Sequence, residues 1–261
     1  KRVKGVATSD GAGVSLTRII GQPILPRLDP FLMLDFFGSD KPAEYLSGFP
    51  AHPHRGFQTV TYMLAGKMRH KDSVGNEGVI EAGGIQWMNA GKGIIHEEMP
   101  EQEKGLLKGF QLWVNLPAAK KMMQPKYQHV ASESFNVINS EDNKVTVQVI
   151  AGNFNAIEGK ITTQTPVNTY MIDMEVGGTI HVPMDNLHQS MLYLLNGDVL
   201  VHKEVQLKKG ENRLIEFNSD GNEIVITSNT KSKLLFLSGT PLKEKIANYG
   251  PYVMNTETEL L

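Results

Sequence analysis

His52-Pro53-His54 sets two imidazoles at positions i and i+2. In a β-strand such residues project from one face, so both rings can converge on a single ion. Further along comes His96-Glu97-Glu98. His96 and Glu98 share the same parity, which selects Glu98 as the inward carboxylate and turns Glu97 the other way. With 8 histidines in 261 residues, one such pair arises readily by chance, and the second pair of matched parity gives the first its weight. His70, His129, His181, His188 and His202 have no comparable partners and read as structural or surface residues. Three imidazoles and a carboxylate form a set of borderline hardness that suits Fe(II), Mn(II), Ni(II), Co(II) or Cu(II), and Zn(II) less distinctively. On an octahedral ion those four ligands leave two positions open. A structural zinc site would be four-coordinate and shut. Two open positions admit a chelating substrate, or a substrate oxygen beside dioxygen.

The elements that must carry these residues are short strands. His52 and His54 precede a β-rich run over 58–64 that ends in a turn at Gly66, and His96 follows the glycine-rich approach Gly91-Lys92-Gly93-Ile94-Ile95. Further strands are expected over 78–81, 110–114 and 144–150, then over 170–175, 191–195, 199–204, 213–217, 223–227 and 234–237. Gly177-Gly178, Asn196-Gly197, Lys209-Gly210 and Asp220-Gly221 supply turn chemistry between them. The better helix candidates, 115–123 and 242–249, are one or two turns each. Such a pattern predicts an all-β fold of antiparallel sandwiches or barrels. Tyr62-Met63-Leu64-Ala65-Gly66 is echoed by Tyr193-Leu194-Leu195-Asn196-Gly197, and the turn at Gly83-Gly84 by Gly210. Two copies of one β-barrel account for the echo, divided as 1–130 with the metal and 131–261 with the terminal tail.

Hydrophobic residues make up 40% and charged residues 21%, enough for a packed core with no disorder signature. Lys+Arg 26 against Asp+Glu 28 gives a net charge of -2, which argues against a dedicated nucleic-acid binder. Lys120-Lys121 and Lys208-Lys209 are short and read as solvated surface lysines. The absence of cysteine excludes disulfides, thiolate metal sites and a cysteine nucleophile. Nothing approaches the ~20 apolar residues that span a bilayer. Lys1-Arg2-Val3-Lys4-Gly5 leads into polar residues and glycines, not an apolar signal-type stretch. A cytoplasmic protein is the default expectation.

His52-Pro53-His54-Arg55-Gly56-Phe57 and the run from Gln86-Trp87-Met88-Asn89 through His96-Glu97-Glu98-Met99-Pro100 closely resemble the pirin family of the cupin superfamily. So do Asp29-Pro30-Phe31, Gln111-Leu112-Trp113-Val114-Asn115-Leu116-Pro117 and Gly250-Pro251-Tyr252-Val253-Met254-Asn255-Thr256. The resemblance implies two tandem cupin barrels, with one metal, usually iron, in the first. Its ligands would match His52, His54, His96 and Glu98. The second barrel is normally metal-free. Setting Gly197 against Gly66 puts Pro183 and Asp185 opposite the two histidines, and no His follows Gly210 at the distance of His96. The general cupin pattern has Glu four residues after the second His. Here that position is Gln58, which cannot accept a proton as a carboxylate does and is expected to orient a ligand by hydrogen bonding.

Some pirins resemble quercetin 2,3-dioxygenases, which open a flavonol ring with O2. That implies a flavonol substrate whose 3-hydroxyl loses a proton, with Glu98 as the base in place of Gln58. Trp87, Met88, Phe57, Phe110 and Trp113 are candidates for an apolar slot around the ion, and Arg55 and Lys92 for guiding an anion. The alternative implied by the family is a non-enzymatic, metal-dependent regulator that binds a protein partner. A third reading is a cupin enzyme for another chelating catechol or enediol.

Overall fold

The computed structural model describes residues 1–210 and 213–261. It is built of strands, with 3-10 turns of three residues as its only helical elements among the described residues. The chain divides into two compact units, Gly5–Ser134 with Leu242–Leu261, and Phe135–Pro241 with Lys1–Lys4.

In the first unit a seven-stranded sheet runs in the order Lys126–Val130, Ile85–Asn89, Phe57–Ala65, Leu107–Asn115, Phe31–Ser39, Val14–Ile20, Val6–Asp10. A four-stranded sheet runs Phe49–His54, Ile94–Pro100, Met68–Asp72, Glu77–Ile80. In the second unit the same two orders recur: Arg2–Val3, Leu214–Glu216, Gln189–Asn196, Ser232–Gly239, Val167–Met174, Val145–Ala151, Asn136–Asn139, and then Thr179–Pro183, Glu223–Ser228, Asp198–Val201, Val205–Lys208. Each unit is a cupin barrel, its two sheets meeting through their apolar faces. Met68 and Ile80 of the smaller sheet pack with Leu16, Phe37 and Met63 of the larger in the first unit. Val182, Ile224 and Ile226 pack with Leu192, Leu194 and Phe236 in the second.

A single cut at 130/131 does not describe these units, because the chain ends change places. The edge that Lys126–Val130 fills in the first unit is filled in the second by Arg2–Val3, paired through Arg2↔Ile215 and Val3↔Leu214. Val3 is buried, which repays ordering the strand. The tail 242–261 belongs to the first unit for a polar reason. The Arg55 amide donates to Pro251 O, the Val253 amide donates to Arg55 O, and Lys121 Nζ donates to Gly56 O, Val253 O and Asn115 Oδ1 at 2.8, 3.0 and 2.7 Å. Lys121, expected at the surface, is 1% exposed. Burial pushes its ammonium down to about 8. Gly56 lies at φ +85°, and a Cβ there would collide with the Val253 carbonyl oxygen, so this tight join requires glycine.

The helix expected over 242–249 is absent. Both Asp29 carboxylate oxygens draw in the amides of Leu242 and Lys243, and Lys243 takes φ +56°, which no α-helix continues through. Ala247–Tyr249 then pairs with Tyr252–Met254 as a hairpin. Of the helix expected over 115–123 only the turn Ala118–Lys120 forms.

Candidate metal centre

The strand Phe49–His54 pairs with Ile94–Pro100 so that His52 faces His96 and His54 faces Ile94. Alternation then turns His52, His54 and His96 to the same side. Their ring centroids are 4.5 to 4.9 Å apart, and each ring offers a nitrogen within 4.8 Å of the others. Among the described residues no other group of His, Cys, Asp or Glu comes together in this way. His54 and His96 are buried. Burial, reinforced by the neighbouring imidazoles, holds His54 well below the usual histidine range and brings His96 down to about 4, although the Glu98 charge pulls His96 upward. Both rings are therefore neutral at pH 7, the form that donates a lone pair to a metal.

The donor set fits an ion on the orphaned atoms alone. Both ring nitrogens of His54 and Nδ1 of His96 are buried with no hydrogen-bond partner. Each would cost about 1–3 kcal/mol if nothing met it. His52 donates from Nδ1 to Pro50 O at 2.7 Å, so its Nε2 presents a lone pair inward, where it accepts from His96 Nε2 at 2.9 Å.

Glu98 is 1% exposed and stands apart from the three imidazoles. The ladder slips between His96 and Glu98, where Phe49–His54 carries an extra residue, and such a bulge re-aims the side chains around it. Thr61 Oγ1 donates to Glu98 Oε1 at 2.6 Å, and Gln111 Nε2 donates to Glu98 Oε2 at 2.7 Å. Glu97 lies on the outward side, opposite Lys71. Gln58 does not reach the histidines. It differs by three positions from Thr61 on one strand, so it lies on the opposite face, where its Oε1 accepts from Trp87 Nε1 at 2.9 Å.

A cavity of about 740 Å³ opens onto His52 and His54. Its wall includes Leu32, Phe37, Gln111, Trp113 and Ile246, with the pair Arg18–Asp35. The Arg18 guanidinium grips Asp35 bidentately, Nε to Oδ1 at 2.8 Å and Nη2 to Oδ2 at 2.7 Å. Of the expected apolar lining only Trp113 faces the cavity, whereas Phe57, Trp87, Met88 and Phe110 are fully buried core. Arg55 and Lys92 do not line it, and its cations are Arg18 and Arg27. Arg18, Asp35 and the cradle made by Thr61 and Gln111 were missed by sequence reasoning. The parity rule that chose Glu98 would have found Gln111, which alternates with Trp113 on one face of its strand.

No helix among the described residues is long and apolar enough to cross a membrane. The family models for Pirin and for the Pirin C-terminal cupin domain match residues 13–114 and 169–261. A Caulobacter vibrioides pirin-like protein is 45% identical over 100% of this chain and 94% of its own length. A Pseudomonas aeruginosa protein, provisionally named a quercetin 2,3-dioxygenase, is 44% identical over 98% and 91%. A crystal structure of quercetin 2,3-dioxygenase from Acinetobacter baumannii superposes with a TM-score of 0.90 at 32% identity, over 99% of this chain and 92% of that one. Two cupin units with a histidine centre in the first, matched along nearly the whole chain, leave one assignment: the chain belongs to the pirin family.

Proposed function

We propose that this protein is a mononuclear metal-dependent dioxygenase that opens a flavonol ring, with His52, His54, His96 and Glu98 as the metal ligands and Fe(II) as the ion. The observation that carries the reading is the convergence of three imidazoles, two of them buried and neutral, at one end of a cavity. A bound divalent ion would supply Lewis acidity toward the flavonol 3-hydroxyl and a site for dioxygen.

The remaining work falls to the chain. The volume of about 740 Å³ lies within the range of small-molecule sites, and Leu32, Phe37 and Trp113 offer an apolar wall to a planar aromatic. Glu98, with one donor on each carboxylate oxygen, keeps a lone pair free on each and can take the 3-hydroxyl proton. Burial around His54, His96 and Glu98 excludes bulk water from that transfer.

Oxygen uptake by the iron-loaded protein with quercetin tests the reading. Turnover should vanish in His52→Ala and fall sharply in Glu98→Gln. No oxygen uptake by the fully loaded wild type, together with metal-dependent capture of a protein partner, would replace it with the regulatory reading.

A further inference from the structure

One rung of the larger sheet of the first unit is polar from strand to strand. Arg18 pairs with Asp35, Asp35 with Gln111, and Gln111 with Thr61, each directly across its ladder. Asp35, Gln111 and Thr61 are side by side at the spacing where cross-strand neighbours interact. Gln111 stands in the middle and touches both the cavity and Glu98.

The chemistry at position 111 is narrow. Trp113 Nε1 donates to Gln111 Oε1 at 3.2 Å, and an indole N–H is a donor only. That bond fixes which end of the amide is oxygen and drives Nε2 toward Glu98. The same nitrogen lies 3.4 Å from Thr61 Oγ1, whose own hydroxyl proton goes to the other oxygen of Glu98. The three side chains close a ring in which every donor has an acceptor. A carboxylate at 111 could accept from Trp113 but could not donate to Glu98, and a lysine could donate but not accept. An amide of this length does both.

We propose that Gln111, oriented by Trp113, is the positioning residue that aims the Glu98 carboxylate at the ion, acting jointly with Thr61. This rests on Glu98 being a metal ligand, as in the function proposed above, but not on the identity of the substrate. Side chains that orient a ligand from behind commonly change metal affinity or activity by about 10–100-fold when removed. The ring therefore has a readout that does not depend on turnover.

The test is Co(II) titration of the metal-free full chain, followed by visible absorption, for wild type, Gln111→Met and Trp113→Phe. Gln111→Met keeps the length of the side chain and removes both polar atoms. It should weaken Co(II) binding by about tenfold or more and shift the visible bands as the carboxylate loses its aim. Trp113→Phe keeps an aromatic side chain but loses the N–H together with the five-membered ring, so it should move both quantities the same way by a smaller factor. With quercetin, Gln111→Met should lower kcat more than it changes KM. A folded Gln111→Met that binds Co(II) with wild-type affinity and spectrum would overturn the proposal. Should that variant not fold, wild-type affinity and spectrum in Trp113→Phe would overturn it equally. If the wild type consumes no oxygen with quercetin while the Co(II) spectra respond as expected, the flavonol reading falls and the role of Gln111 stands.

Discussion

The two units of this chain use one strand order for opposite ends. In the first, the inward positions of Phe49–His54 and Ile94–Pro100 hold His52, His54, His96 and Glu98. In the second, the equivalent strands Thr179–Pro183 and Glu223–Ser228 turn Ile180, Val182, Ile224 and Ile226 inward, with Val182 directly opposite Ile224. His181 is the histidine of that strand, and it points outward to Glu223 at 3.2 Å. The barrel therefore tolerates either interior. A centre of imidazoles gives up the transfer free energy of apolar side chains and leaves nitrogens without protein partners, a loss that a bound ion can offset.

That contrast can be broken most sharply at the proposed ligands. His52→Ala and His96→Ala should each weaken metal binding by at least about 100-fold, since even groups behind a ligand are worth 10–100-fold. His181→Ala in the second unit should leave the metal content of the purified protein unchanged by elemental analysis. The next effect is on stability and has opposite character in the two units. Ile224→Ala should cost about 2–5 kcal/mol by chemical denaturation, because it opens a cavity in a closed apolar core. His96→Ala in the metal-free protein should cost roughly 1 kcal/mol or less, because it also removes a buried nitrogen with no partner. Lys121→Met probes how the first unit holds its borrowed tail. With three oxygen acceptors losing their donor, a loss of about 2 kcal/mol and faster proteolysis of 242–261 are expected.

The smallest effect is on pH. His54 and His96 have folded values below that of an unfolded histidine, so the unfolded chain takes up protons first as pH falls. Their contribution to stability is present above about pH 6.5 and is lost as pH falls from there toward about 4. The denaturation midpoint of the metal-free protein should drop between about pH 7 and pH 5, and His96→Ala should flatten that drop. The apolar interior of the second unit contributes nothing to it, although His188 of that unit, also lowered by burial, acts in the same direction.

Much of this was legible in the sequence because alternation and turn chemistry are local signals. The strands over 58–64, 110–114, 191–195 and 234–237 lie within observed strands, that over 170–175 overruns its strand Val167–Met174 by one residue, and the three histidines meet as parity predicts. The unreadable part was non-local. Phe31–Ser39 is buried on both faces over Phe31–Phe37, so it has no alternation to find. Pro183 and Asp185 were set opposite the histidines by an ungapped count from the Gly66 and Gly197 turns. The connection at 184–188 is longer than that at 55–56, and the count slips off the inward positions. Gln58 was misjudged because its chemistry was weighed before its face.

The exchange of chain ends bears on how this protein is made. Arg2-Val3 leaves the ribosome ahead of residues 5–134, yet its partners Leu214 and Ile215 emerge only after them. Lys121 must likewise wait for Val253 before its third acceptor exists. The histidine-bearing barrel is begun early and finished last. Until residues 242–261 arrive, its cavity lacks the wall formed by Ile246, Asn248 and Pro251. Before those residues dock, the site is open to solvent, so an ion held there would be enclosed only once 242–261 are in place.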